Sequence, residues 1–296
     1  MKRISRTAHP FFLLIIFVFG ACIGVNAEGK KLSLKFTGGL SHLLLSDLNA
    51  YINDASRYPL DELESVGYVA HQEFESFHTG RDLEIMILMP VSKRCFLTIG
   101  SGYIQSKKID NQLVMESSFS TITSELNHTV KAIPVTLGIQ YDIPLSTKSR
   151  FYLFSCLGFY FSKFLETGEK QLDLKTEQIG YTESWNADTK ATGIGGSLGW
   201  GYEFDISKEL TFLLEANARY ARISGFSGTS YDRFNNAEWE DDLELRYYEF
   251  YNSYLDDTYK ALNLPNAQRG FELRVLRDAV IDLSGFSVKV GFKINL

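Results

Sequence analysis

Five histidines, three cysteines and a scatter of serines hold whatever side-chain chemistry this chain could perform. Gly195-Gly196-Ser197-Leu198-Gly199 matches G-x-S-x-G, the turn that presents a nucleophilic serine between a strand and a helix. Here the motif sits inside an alternating stretch with no helical pattern after it, and reads as plain strand. His71, Glu73 and Glu75 share one face if their segment is extended, with His78 close behind. They could hold a divalent cation, but the spacing fits no zinc motif and a solvated loop face accounts for it. His42 and His128 fall near strand ends; either would need a Ser or Asn within hydrogen-bond reach to act in hydrolysis. Cys95 and Cys156 fall inside strands as small buried or outward thiols, with no disulfide expected. The sequence therefore predicts no catalytic residues, no cofactor and no resident metal site.

The 296 residues include 36 acidic and 30 basic side chains, a net charge of −6, with 45% apolar and 14% aromatic residues. That is too apolar and aromatic for a disordered chain. It is also too acidic for a nucleic-acid binder, which needs a basic patch. Beyond residue 20 no apolar run approaches the roughly 18 residues of a spanning helix. Lys2, Arg3 and Arg6 precede the apolar stretch Phe11 to Phe19, and Val25-Asn26-Ala27 is a small-x-small cleavage site. Residues 1–27 read as a secretory signal peptide and 28–296 as one domain. Gly20-Ala21-Cys22 offers a rival processing site, with Cys22 lipidated.

After the signal the period is two. Thr192, Ile194, Leu198, Trp200, Tyr202 and Phe204 alternate with glycines, Ser197 and Glu203. The same alternation runs through Phe212, Leu214 and Tyr220, and through Phe286, Val288, Val290, Phe292 and Ile294. Eight strands follow, over 31–41, 77–89, 95–107, 129–143, 150–164, 190–206, 209–225 and 284–296. Short turns alternate with long loops over 42–76, 108–128, 165–189 and 226–283, so the long loops all gather at one end. The fold class is thus all-β: an eight-stranded antiparallel up-and-down transmembrane barrel with long, partly helical loops at one end. The strands, of 11 to 17 residues, meet the 9–11 that cross a bilayer at a tilt.

The greasy face is assigned to lipid and the polar face to a narrow lumen. Glycines at 193, 195, 199 and 201 would make room inside, and aromatics cluster near both strand ends. The polar face carries Lys35, Glu84, Glu203, Glu215, Arg219, Lys289 and Lys293, an interior charge network expected to pair across strands. Each long loop is net acidic. Ser46 could cap a helix bearing Leu48, Tyr51, Ile52 and Ala55 on one face. Asp241 to Leu262 places Leu243, Tyr247, Phe250 and Tyr254 near helical spacing, ended by Asn263 and Pro265. Glu238, Glu240, Asp241 and Asp242 suggest weak binding of divalent cations.

The last eight residues, Lys289 to Leu296, resemble the C-terminal insertion signal of small OmpA/OmpX-type outer-membrane barrels, carried by Lys289, Gly291, Ile294 and Leu296. Bacterial signals of this kind usually end in Phe. The resemblance implies location in the bacterial outer membrane, contact with its lipid, and assembly by the barrel insertase; it implies no activity and no oligomeric state. The leading expectation is a non-enzymatic barrel whose acidic loops serve surface contact, adhesion or envelope stability. The alternatives are a lipid-modifying barrel enzyme and a carrier of small apolar molecules.

Overall fold

The computed structural model describes residues 32–64, 66–175, 180–234, 237–252, 257–262 and 272–296. The signal peptide, Cys22, Tyr254, Asn263 and Pro265 lie outside them. In chain order the elements are β1 (Ser33–Leu43), α1 (Ser46–Glu64), β2 (Val69–Gln72), β3 (Thr79–Pro90), β4 (Cys95–Lys108), β5 (Gln112–Glu116), β6 (Ser120–Pro144) and β7 (Ser149–Leu174). There follow β8 (Tyr181–Asp205), β9 (Leu210–Ser224), β10 (Ser227–Phe234), β11 (Ala237–Glu244), β12 (Arg246–Asn252), β13 (Asp257–Leu262), β14 (Glu272–Asp278), β15 (Val280–Asp282) and β16 (Gly285–Asn295).

Eight of these close a ring. Antiparallel pairing runs β1–β3–β4–β6–β7–β8–β9–β16 and returns from β16 to β1, where Ser33 opposes Asn295 and Leu43 opposes Gly285. No edge is left in the ring, which is how a sheet satisfies its backbone without water. Alternation then fixes the two faces. Trp200 and Leu214 point outward at 50% and 40% exposure, whereas Glu203 and Glu215 are sealed inside. A water-soluble calyx has the reverse arrangement. Ile85, Ile133, Phe159, Ile194, Val288 and Phe292 continue the outward apolar surface around the ring. Rings pack edge to face at its turn end, Phe151 on Tyr202 and Phe212 on Phe292.

The loop regions differ from expectation. β6, β7 and β8 are 25, 26 and 25 residues long, more than twice a tilted bilayer crossing. Segments 108–128 and 165–189 are therefore mostly strand: they continue upward, and β2, β5, β10 and β11 join them in a sheet ordered β2–β5–β6–β7–β8–β10–β11. The described residues of 241–262 are not helical either. They form parts of β11, β12 and β13, with β12 between β13 and β14 in a separate three-stranded sheet. Tyr247 and Phe250 are strand-forming aromatics, and the spacing they share with Leu243 matched a helix only by coincidence. Residues 46–64 do form a helix, which buries Leu48 and Ile52 completely and packs Tyr51 and Ala55 against the same core. That core joins Phe77, Ile104, Val130, Phe164, Ile223 and Leu283, so α1 plugs the upper barrel.

The lumen glycines are explained by their neighbours. A Cβ on Gly201 would come within 2.2 Å of the Tyr152 ring, and one on Gly199 within 2.5 Å of Phe154. β8 is thus smooth where β7 turns its aromatics inward. Gly201→Val should displace Tyr152, cost about 1–3 kcal/mol by overpacking and lower the unfolding midpoint in detergent. An unchanged midpoint would show that Tyr152 has another place to go.

Candidate functional site

Two ionic clusters fill the barrel. In the upper one Lys35 bonds Glu215, which also accepts a hydrogen bond from Tyr152 Oη at 2.9 Å. Lys289 Nζ lies 2.8 Å from Glu84, 3.4 Å from Asp82 and 3.8 Å from Glu215. Arg219 Nη1 donates to Asp82 at 2.9 Å, and its Nε to the Leu283 carbonyl at 3.0 Å. In the lower cluster Lys293 bonds Glu203, and Arg150 donates to Glu203 at 2.6 Å and to Asp205 at 2.7 Å. Register explains the pairing: Lys289 opposes Glu215 across β16 and β9, and Thr37, two residues from Lys35, opposes Glu84 across β1 and β3.

All seven residues read from the sequence as interior charges face this lumen. Four partners were missed, Asp205 among them, two residues after Glu203. Asp82 lies two residues before Glu84, so period two alone would have placed it beside its neighbour. Arg150 and Tyr152 lie in a strand segment that is apolar on both faces, which hid its sidedness. Among the insertion-signal residues, Lys289 is an ion-pair partner and Gly291 a close approach, where a Cβ would sit 1.9 Å from the Phe36 carbonyl oxygen. Ile294 and Leu296 point outward, 39% and 52% exposed.

A second polar cluster lies above the barrel. His128 is fully buried, stacked between Phe77 and Phe164 with Tyr51 edge-on at 6.0 Å. Its Nε2 lies 3.0 Å from Glu166 Oε2, and Trp185 Nε1 donates to Glu166 Oε1 at 3.0 Å. The Tyr51 phenol also bonds Glu166; burial first, then the carboxylate charge, pushes its pKa well above the usual value. A cavity of about 300 Å³ opens beside Tyr51, Glu166 and Trp185, between β7, β8, β10 and β13. The cap is tied down by α1. Asp47 accepts from both Arg277 nitrogens at 2.6 and 2.8 Å and from the Val280 amide at 2.9 Å, and Arg57 bonds Asp257. Tyr259 donates to Asp61 at 2.7 Å, its phenol pushed up by burial and then by that carboxylate.

The other candidates scatter. His42 stacks on His78 with ring centroids 5.0 Å apart. His71 pairs with Glu116 at 3.2 Å, and Glu75 with Lys108 at 2.5 Å. No cluster of three or more His, Cys, Asp or Glu is arranged to hold a metal among the described residues. Glu238, Glu240 and Asp242 alternate with Asp241 along β11, so they do not converge on one ion. Ser197 stays within strand β8. Cys156 is free and buried, and Cys95 is buried at the start of β4.

The wall has one interruption. Between β4 and β6 the register passes from Ser101–Val135 to Ile104–Ala132, and Pro134 in the gap has no amide hydrogen to give. The space behind it is about 20 Å³, bounded by Asp82, Glu84, Tyr160, Arg219 and Lys289.

No family model matches the chain, and no curated protein matches it. Among solved structures the chain is similar to the crystal structure of the outer membrane protein OprG from Pseudomonas aeruginosa, at 10% identity and a TM-score of 0.36, over 92% of this chain and 99% of that one.

Proposed function

We propose that this chain is a bacterial outer-membrane β-barrel that acts through its cell-surface cap and not through its lumen, in surface contact, adhesion or envelope stabilisation. Outer-membrane lipid surrounds the outward apolar face. The short turns face the periplasm and the long strands rise outside the cell. By strand number and filled lumen it is read as a small OmpA/OmpX-type barrel, assembled by the barrel insertase. It is read as non-enzymatic: the polar partner of buried His128 is a carboxylate, not the Ser or Asn that a lipid-modifying site needs. The carrier reading needs an apolar tunnel, and the wall break at Pro134 opens onto charges instead.

The observation that carries this reading is the contrast between lumen and cap. The gap among the ion pairs, about 20 Å³, has room for about one water and none for a solute. Above it stands a folded sheet seated on a hydrophobic core that it shares with α1 and the upper barrel. Proteoliposomes holding the protein should swell in small sugars no faster than empty ones. A cysteine replacing exposed Thr229 should react with an impermeant maleimide on intact cells. Porin-like swelling, or labelling only after lysis, overturns the reading. Weak divalent binding by the acidic loops is retained as part of the proposal, with protease accessibility in calcium and in chelator as its check.

A further inference from the structure

Lysines line up on the outer face of the barrel where it leaves the apolar belt. Lys131 opposes Lys163 across β6 and β7, and Lys163 opposes Lys190 across β7 and β8. Directly opposed residues have Cα atoms about 4.5–5.5 Å apart, so three ammonium groups share on the order of 10 Å of wall. Gln105 and then Arg81 extend the same row. Like charges directly opposed weaken a sheet. Lys163 alone in this row has a described counter-ion, Asp188 at 2.7 Å.

What lies on either side of the row selects the ligand. One layer toward the membrane the face is apolar: Ile133, Phe159, Phe161 and Ile194 are 48–66% exposed. On the other side is an outward cleft of about 480 Å³, lined by Lys107, Asp110, Asn127, Thr129, Thr167 and Asn186 among others. The order from membrane to solvent is thus apolar wall, cationic row, then hydroxyl and amide groups.

We propose that this face binds a phosphorylated glycolipid of the outer leaflet. Its acyl chains lie along Ile133, Phe159, Phe161 and Ile194. A phosphate sits on Lys131, Lys163 and Lys190, and sugar hydroxyls enter the cleft. Lysine suits this place because its apolar stem follows the wall while its ammonium reaches the headgroup level. The anion relieves the repulsion that the register builds in. The assignment rests on the membrane placement proposed above.

The test uses the full-length protein in a zwitterionic detergent. Its thermal midpoint and lipid stoichiometry by native mass spectrometry are measured with four additives: phosphorylated lipopolysaccharide, the same glycolipid dephosphorylated, phosphatidylglycerol and inorganic phosphate. The phosphorylated glycolipid should raise the midpoint and the other three should not. Each of Lys131→Gln, Lys163→Gln and Lys190→Gln should weaken that binding about fivefold, the effect expected of one cation at an anionic lipid surface. Lys93→Gln, Lys148→Gln and Lys208→Gln, at the opposite end, should leave it unchanged. The single variants keep the test open if the triple variant misfolds. Equal response to any of the other three additives, or undiminished binding by the row variants, overturns the inference. A protein that inserts into bilayers yet ignores the glycolipid loses only this inference; one that does not insert loses the membrane placement as well.

Discussion

Glu215→Ala should sharply lower the unfolding midpoint of the detergent-solubilised barrel. The Glu215 side chain is fully enclosed. It neutralises Lys35, accepts from Tyr152 Oη and lies 3.8 Å from Lys289. Without it, Lys35 keeps only the ring faces of Tyr152 and Phe154, each 5.1 Å away, and a coulombic share of Glu84. Stranding one partner of a buried pair costs about 3–5 kcal/mol, whereas removing both and filling the space is often neutral. The double variant Lys35→Met with Glu215→Leu should therefore recover most of the loss. Glu75→Ala, which breaks an exposed pair with Lys108, should change almost nothing. If Glu215→Ala melted where the wild type does, water would have to reach Lys35, and the filled lumen would be wrong.

The contrast between those two glutamates also marks what could be read without coordinates. Both are visible in the sequence, and period two puts Glu215 on the polar face of a strand whose other face is Phe212, Leu214 and Tyr220. Lipid makes that alternation strict, so all eight barrel strands were legible. Above the membrane the constraint relaxes. In β6 the inward residues Ser120, Ile122, Ser124 and Leu126 face outward Thr121, Thr123 and Glu125, and the polar character of both faces hid a strand that is there. Helix α1 was legible because Leu48, Tyr51, Ile52 and Ala55 share one face. The segment 241–262 was misread because aromatic residues at similar spacing serve strands equally well. Partners were the least legible feature. Lys293 and Glu203 are 90 residues apart, and Arg219 and Asp82 are 137 apart. Only the register brings them together, and register follows from closure of the ring.

Glu166→Ala should open the cap and leave the membrane barrel folded. One carboxylate there serves His128 Nε2, Trp185 Nε1 and the Tyr51 phenol, each from a different element: β6, β8 and α1. Removing it leaves these groups without their partner inside an aromatic core, at about 1–3 kcal/mol for each donor left unsatisfied. The ion-paired lumen contains none of them, so the two regions should respond separately. Limited proteolysis should cut the variant within the cap, while the band shift between boiled and unboiled samples stays as in the wild type. Glu166→Gln, which still accepts through one oxygen, should restore part of the protection. Tyr51 adds a pH dependence of known sign. Its phenol is held protonated by burial and by Glu166, so the opened chain ionises first. Cap protection should be complete below the ordinary phenol range near 10 and fade as pH rises above it, and Tyr51→Phe should flatten that loss. If Glu166→Ala instead lowers barrel and cap stability together, α1 is a structural part of the barrel and the cap is no separate working surface.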